Sequence, residues 1–184
     1  MEDVKRRWLL KKLREYEPFD ANESSMLLRL TSMVMAQERC FDRKLGAGHV
    51  VVGAWVLDRE REQALLVHHR KLEKWLQPGG HVENDPSLID AAKRELTEET
   101  GLRKFHLLSG EIFDIDVHTI PAHGSEPEHI HYDLRFAFEA SAKAVLRVSE
   151  ESRALRWVRL SEVDKLNDSV SMRRMIEKTR RLTV

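Results

Sequence analysis

Cysteine is almost absent: Cys40 is the only one in 184 residues. A single thiol excludes an internal disulfide and fits a reducing cytoplasm, with Cys40 as a small packing residue rather than a nucleophile. Net charge is absent as well, 31 Lys and Arg against 31 Asp and Glu. General nucleic-acid binding calls for a basic excess, so that class is not expected, although a balanced total allows a local cationic pocket. Long apolar runs are missing too. The opening MEDVKRRWLLKK threads charges through its apolar residues. No stretch approaches the ~20 apolar residues of a membrane span or the continuous apolar core of a secretion signal. Repeats and low-complexity segments are also lacking. The expectation is a soluble cytoplasmic protein, one domain with an appendage.

What is present is a change of period along the chain. Val4, Trp8, Leu9, Leu13 and Tyr16 recur at helical spacing. After Pro18, Asp20 and Glu23 read as a capping box that starts a second helix, with Met26, Leu27, Leu30 and Val34 inward. Beyond Gly46 and Gly48 the pattern turns to strands: 49–57, 63–69, about 104–118, 129–140 and 153–160, with a closing helix over 169–181. Strands flanked by helices predict an α/β/α sandwich with a mixed sheet, residues 45–184, preceded by an N-terminal helical extension, residues 1–44. The extension is placed to cap a site or to form a homodimer surface.

The most informative stretch is GHVENDPSLIDAAKRELTEETGL, residues 80–102. Leu88, Ala92 and Leu96 form an apolar stripe four apart, so the stretch predicts a helix over about 86–100. Asp85 is the expected N-cap, Pro86 the first helical residue and Gly101 the left-handed end. Glu95, Glu98 and Glu99 then share a face behind Arg94. Like charges at this spacing cost an isolated helix roughly 0.2–0.5 kcal/mol per pair. Arg94 offsets part of that and a divalent cation would offset more. Hard oxygen donors without Cys or His on the helix favour Mg²⁺ or Mn²⁺ over Zn²⁺.

These residues resemble the Nudix box, G-x5-E-x7-R-E-U-x-E-E-x-G-U with U apolar. Every fixed position matches except the first glutamate, which is Pro86. The resemblance implies Glu95, Glu98 and Glu99 as metal ligands, the Gly79 carbonyl as a further donor, and Arg94 orienting a glutamate rather than touching substrate. It implies hydrolysis of a diphosphate that joins a nucleoside to another group. Asp85 or Glu83 is placed to replace the carboxylate missing at Pro86.

A second polar pattern lies at FDIDVHTIPAHGSEPEHIHYDLRF. At period 2, Asp114, Asp116 and His118 share one face of a strand, and His129, His131, Asp133 and Arg135 share one face of the next. A hairpin around 121–127 sets His118 opposite His129, Asp116 opposite His131 and Asp114 opposite Asp133. Imidazole and carboxylate are metal ligands and proton shuttles, so this face is assigned to substrate or to a second metal. Some bacterial Nudix hydrolases of unassigned substrate look similar in DIDVH and HxHxD. Lys71, with His68, His69 and Arg70, is a candidate phosphate contact. Trp75 is a candidate for stacking a base, whereas Trp55 and Trp157 read as core.

The expected function is Mg²⁺-dependent cleavage of a pyrophosphate bond in a small nucleotide substrate, such as a nucleoside triphosphate or nucleotide sugar. Glu98 is the first choice of base, with His131 or a glutamate of the 126–128 loop as alternatives. Two rival readings are a binding-only nucleotide sensor, suggested by Pro86, and an isomerase of an isoprenoid diphosphate, suggested by the His and Asp residues of the hairpin.

Overall fold

A computed structural model describes residues 2–46, 48–124 and 127–182. Two helices lead, α1 (Glu2–Glu15) and α2 (Ala21–Ala36), then strands β1 (His49–Leu57), β2 (Gln63–His69), β3 (Lys74–Leu76) and β4 (Gly79–His81). Helix α3 (Leu88–Thr100) follows, then β5 (Phe105–Leu107), β6 (Asp114–Ile120), β7 (His129–Ala140), β8 (Ser152–Arg159), a 3-10 turn (Leu160–Lys165) and α4 (Val170–Arg181).

The sheet is mixed and centres on β1, whose nine residues are all buried. A strand covered on both faces needs a continuous apolar run, and HVVVGAWVL supplies most of one. One edge of β1 pairs in parallel with β7 along its length, from His49 beside His131 to Leu57 beside Glu139. The other edge is shared. β4 takes Val51 to Gly53, and β2 joins only at Leu57 before turning away to pair with β3 and β8. Val50, Val52, Ala54 and Val56 point into a core built with α1, α2 and α3. Trp55 and Leu57 point the other way, into a smaller core under α4. Leu9, Leu13, Leu30 and Val34 of the N-terminal helices belong to the first core. No helix of the described residues is long and apolar enough to cross a membrane.

Three local expectations are corrected. The single strand over 104–118 is two strands, β5 and β6, on the same edge of β7. From Leu107 to Asp114 the chain advances seven residues while their partners, Phe138 and Arg135, are three apart. The four extra residues loop out around Ser109 and Gly110. The hairpin register also differs by two: Asp114 lies opposite Arg135, Asp116 opposite Asp133, His118 opposite His131 and Ile120 opposite His129. A two-residue slip keeps every side chain on its face, and here it sets Asp114 against a cation instead of another carboxylate. Finally, α3 starts at Leu88, because the Ser87 side chain accepts the Asp90 N–H. Asp85 is engaged by Arg94 and does not cap.

That charge pairing runs deep. Asp114 is fully buried. It accepts from Arg135 Nη1 at 3.0 Å, Arg174 Nε at 2.7 Å and Lys178 Nζ at 2.9 Å. Lys178 also donates to buried Glu23 of α2, which takes the Tyr16 hydroxyl and the Ile115 N–H as well. The cluster joins α2, β6, β7 and α4 to Tyr16, just past the end of α1. Removing one partner leaves buried cations uncompensated, typically at a cost of about 3–5 kcal/mol. Asp114→Asn is therefore expected to lower unfolding free energy by that amount in urea titrations. Asp3→Asn, which breaks only the exposed pair with Arg7, is expected to shift it by no more than about 0.5 kcal/mol.

Candidate active site

Alternation along four adjacent strands builds a polar floor. His118, His131 and His49 sit side by side across β6, β7 and β1. The next row holds Asp116, Asp133, Val51 and His81, and the one after it Asp114, Arg135, Gly53 and Gly79. On β1 this same face becomes apolar at Trp55, where α4 covers it. A cleft opens above the uncovered part. Its inner end, about 160 Å³, is lined by Gly79, Gly80, Glu99, His131, Asp133 and Arg135 among others. Its outer end, about 450 Å³, is lined by His49, His81, His129 and His131, with Arg43, Lys44, Arg70 and Lys71. A larger hollow of about 590 Å³ between Arg59, Lys104 and His106 borders the far ends of β1 and β7 and gathers none of these groups.

The carboxylates of α3 enter at the inner end. A methyl on Gly80 would stand 2.6 Å from the Glu95 carboxylate, so only glycine lets that side chain lie against β4. Glu99, 6% exposed, accepts the Gly79 N–H at 2.8 Å. Gly101, at φ 73°, ends the helix in the expected left-handed conformation. Arg94 organises the rest. Its Nε and Nη2 grip the two oxygens of Asp85, each at 3.0 Å. Its Nη1 reaches Glu95 at 2.8 Å and Glu98 at 3.0 Å, and Nη2 also meets the His81 carbonyl at 2.8 Å. Asp85 thus supplies Arg94 with a carboxylate next to Pro86, and Glu83 does not touch it. Lys5 of α1 donates to the Glu83 and Asp85 carbonyls, so the extension braces this loop.

Electrostatics leave the inner end short of positive charge. Burial pushes the Glu99 carboxyl up to about 8 against the Gly79 hydrogen bond, and the charges of Glu95 and Glu151 add to the rise. Glu95 is raised too, by burial first, with Arg94 opposing. Glu98 keeps 59% of its side chain exposed. The floor behaves differently. Burial works against ionised Asp116, but the His118 ring, its Nδ1 3.5 Å away, and the charge of Arg135 outweigh it and hold the carboxyl well below the usual range. At the outer end, burial and the crowding of imidazoles bring His49 down to about 4 and His131 to about 2, so both are neutral near pH 7.

The structure therefore gathers most of the residues singled out in the sequence. Glu95, Glu99 and Gly79 meet at the inner end, Glu98 and Arg94 flank it, and His129, His131 and Lys71 line the outer end. Asp114 borders neither cavity and is saturated by its cations. Asp133 and Arg135 border the inner end but are paired with each other at 2.8 Å. Trp75 stacks on His68 and under Arg156, outside both cavities. Glu128 is exposed, and Glu126 lies outside the described residues. Sequence reasoning missed His49, His81 and Glu151. His49 looked like the first residue of an apolar strand, and its only signal was that parallel pairing with β7 would bring it to the HxH pair.

Residues 47–179 match the family model of the NUDIX domain. The chain belongs to that family. It is 48% identical over 59 residues to the Danio rerio m7GpppN-mRNA hydrolase NUDT17, covering 29% of this chain and 20% of that one. It is 33% identical over 82 residues to a probable DHNTP pyrophosphohydrolase of Lactococcus lactis, covering 44% of this chain and 48% of that one. The chain thus spans half or less of the length of these two relatives. Among solved structures, the NUDIX domain of Shewanella oneidensis NrtR complexed with ADP ribose superposes with a TM-score of 0.54 at 20% identity, over 83% of this chain and 98% of that one. At that identity the likeness speaks for the fold.

The raised Glu99 carboxyl has a consequence for stability. Its folded value, about 8, exceeds the ordinary 4.5. Stability associated with the protonated group is fully present below about pH 4.5 and is lost as pH rises through 8. In metal-free protein Glu99→Gln should match the parent near pH 4.5 and exceed it at pH 9 by on the order of a few kcal/mol, read from denaturant titrations at each pH.

Proposed function

We propose that this protein is a divalent-metal-dependent pyrophosphohydrolase acting on a nucleoside diphosphate linked to a further group. The observation that carries the reading is the convergence of Glu95 and Glu99 on the side-chain-free Gly79–Gly80 edge, with Glu98 beside them on Arg94 and Arg94 locked by Asp85. A cation fits there. The donors are hard oxygens, and two of them, buried Glu99 and partly buried Glu95, are carboxylates held above their ordinary range. Glu95, Glu98, Glu99 and the Gly79 carbonyl would hold Mg²⁺, or Mn²⁺. When bound, such a cation neutralises pyrophosphate oxygens and makes a water more acidic.

The chain's own groups do the rest. Arg94 orients Glu95 and Glu98 without facing the cleft as a free cation, since Asp85 and the His81 carbonyl occupy its other nitrogens. Glu98 is exposed enough to move. It accepts the proton of the attacking water as the new P–O bond forms, and the anhydride P–O bond breaks with its electrons going to the departing phosphate oxygen. Lys71, Arg70, Arg43 and Lys44 ring the outer end and suit the phosphates of a nucleotide. A volume near 450 Å³ falls within the usual range of small-molecule sites. The single cysteine and absence of a membrane-length helix among the described residues support a cytoplasmic setting.

The rival readings lose their support here. The sensor reading drew on a missing carboxylate at Pro86, and Asp85 fills that role toward Arg94. The isomerase reading needs an acid at the site. Cys40 is buried in the first core, its thiol pushed up to about 11 by burial.

The test is a hydrolysis panel with Mg²⁺ and with Mn²⁺, spanning nucleoside triphosphates, nucleotide sugars, ADP-ribose and dinucleoside polyphosphates. At least one class should turn over, and Glu98→Gln should lower kcat by about 10²–10⁴-fold while nucleotide affinity is kept. Tight nucleotide binding with no product in either metal would sink the hydrolase reading.

A further inference from the structure

The outer end of the cleft carries a group of side chains that the box does not use. His49 is 1% exposed, and neither of its ring nitrogens has a hydrogen-bond partner among the described residues. An orphaned polar group in the interior typically costs about 1–3 kcal/mol, so its persistence calls for a ligand. Its ring stacks on His129 at 5.2 Å and meets His131 edge-on at 4.9 Å. One nitrogen from each of these three rings lies within 4.8 Å of the others.

The tautomers can be assigned in part. His129 Nδ1 is 2.9 Å from the Pro127 carbonyl, which can only accept, so Nδ1 carries the proton and Nε2 offers a lone pair. A backbone carbonyl on the second nitrogen is the usual support of a metal-binding histidine. That lone pair accepts from His131 Nε2–H, 3.1 Å away, and ligation through the same nitrogen moves the His131 proton to Nδ1. Two nitrogens held about 2.0–2.1 Å from one tetrahedral ion stand about 3.3 Å apart. The pair is thus already near chelating distance, and the His49 nitrogen has to close from within 4.8 Å to about 3.3 Å. Both His49 and His131 are neutral, as ligation requires.

We propose that His49, His129 and His131 form a binding site for a zinc-class transition-metal ion, separate from the carboxylates of α3 and open on its fourth side to the cavity. Imidazole donors favour Zn²⁺ and its neighbours over Mg²⁺, and three protein ligands with an open position are the pattern of a reactive rather than a purely structural site. An anionic oxygen of a substrate entering between Lys71 and Arg43 can complete the coordination. The proposal goes beyond the hydrolase reading and does not depend on it.

The test uses metal-stripped full-length protein saturated with Mg²⁺, titrated with Zn²⁺ by calorimetry and with Co²⁺ by visible absorption. One Zn²⁺ per chain is expected, together with the intense visible bands of four-coordinate Co²⁺. His129→Ala and His131→Ala should each weaken Zn²⁺ by about 100-fold or more, while Glu98→Gln and Glu99→Gln change it by no more than about threefold. Circular dichroism checks that each variant is folded, and half-exposed His129 provides a variant whose truncation leaves the core intact. Absence of Zn²⁺ binding to the parent at micromolar levels would overturn the site. So would loss of binding in the glutamate variants but not in the folded His129→Ala variant. A protein that hydrolyses no nucleotide yet binds Zn²⁺ through these histidines would refute the proposed function and keep the site.

Discussion

The parallel pairing of β1 with β7 is the constraint on which the rest depends. Nine consecutive residue pairs hold these strands together, and neither strand can slip without moving the other's face. The pairing sets His49 beside His131 and Gly53 beside Arg135. Through the other edge of β1 it also fixes β4, and β4 in turn sets how closely Glu95 and Glu99 approach. Both ends of the cleft are therefore measured from one strand. Apart from His49 that strand is apolar, so the hydrophobic effect positions a polar site to which the strand itself gives one polar side chain.

Arg94 plays a comparable role at shorter range. A guanidinium presents five N–H donors in a rigid fork, and here Asp85, Glu95, Glu98 and a backbone carbonyl take them up. A lysine could satisfy one or two of these acceptors but not hold them in one plane. The replacement at Pro86 becomes intelligible in this setting. Proline restricts the residue before it to extended backbone, which suits a carboxylate reaching across to the helix from Asp85, and Ser87 then takes over the capping of α3. The N-terminal helices contribute through Lys5, whose ammonium group holds the loop carbonyls. Although α1 precedes the family match, its side chains belong to the architecture of the box.

Much of this was legible in the sequence, for reasons of period and spacing. The helix of the box, its closing glycine, the carboxylate face and the polar face of the hairpin follow from 3.6-residue and 2-residue repeats, which local geometry enforces. Register did not follow, because a shift of two residues leaves every side chain on its face and so leaves no trace in the pattern. The choice was made by tertiary electrostatics: Asp114 pairs with Arg135 and with Arg174 and Lys178 some 60 residues further on. His49 was hidden for a related reason. Its neighbours in sequence are valines, and its partners in space, His129 and His131, are 80 or more residues away on a strand that only parallel pairing brings alongside.

The polar floor then divides by charge. Asp114, Asp116 and Asp133 face Arg135, with Arg174 and Lys178 behind, so the acidic part of the floor is neutralised from within. A group already satisfied by a buried partner gains little from a ligand and would lose that partner to accept one. These aspartates are accordingly a foundation, and their acidity in the sequence overstated their availability. What remains lies on either side: Glu95 and Glu99 of α3, both raised by burial first, and the His49 imidazole, buried with neither ring nitrogen hydrogen-bonded. One set offers hard oxygen donors, the other borderline imidazole nitrogens, and the two meet around His131, which borders both parts of the cleft. A substrate with phosphates at one end and a second group at the other would therefore meet two chemically different sets of donors within a single cavity.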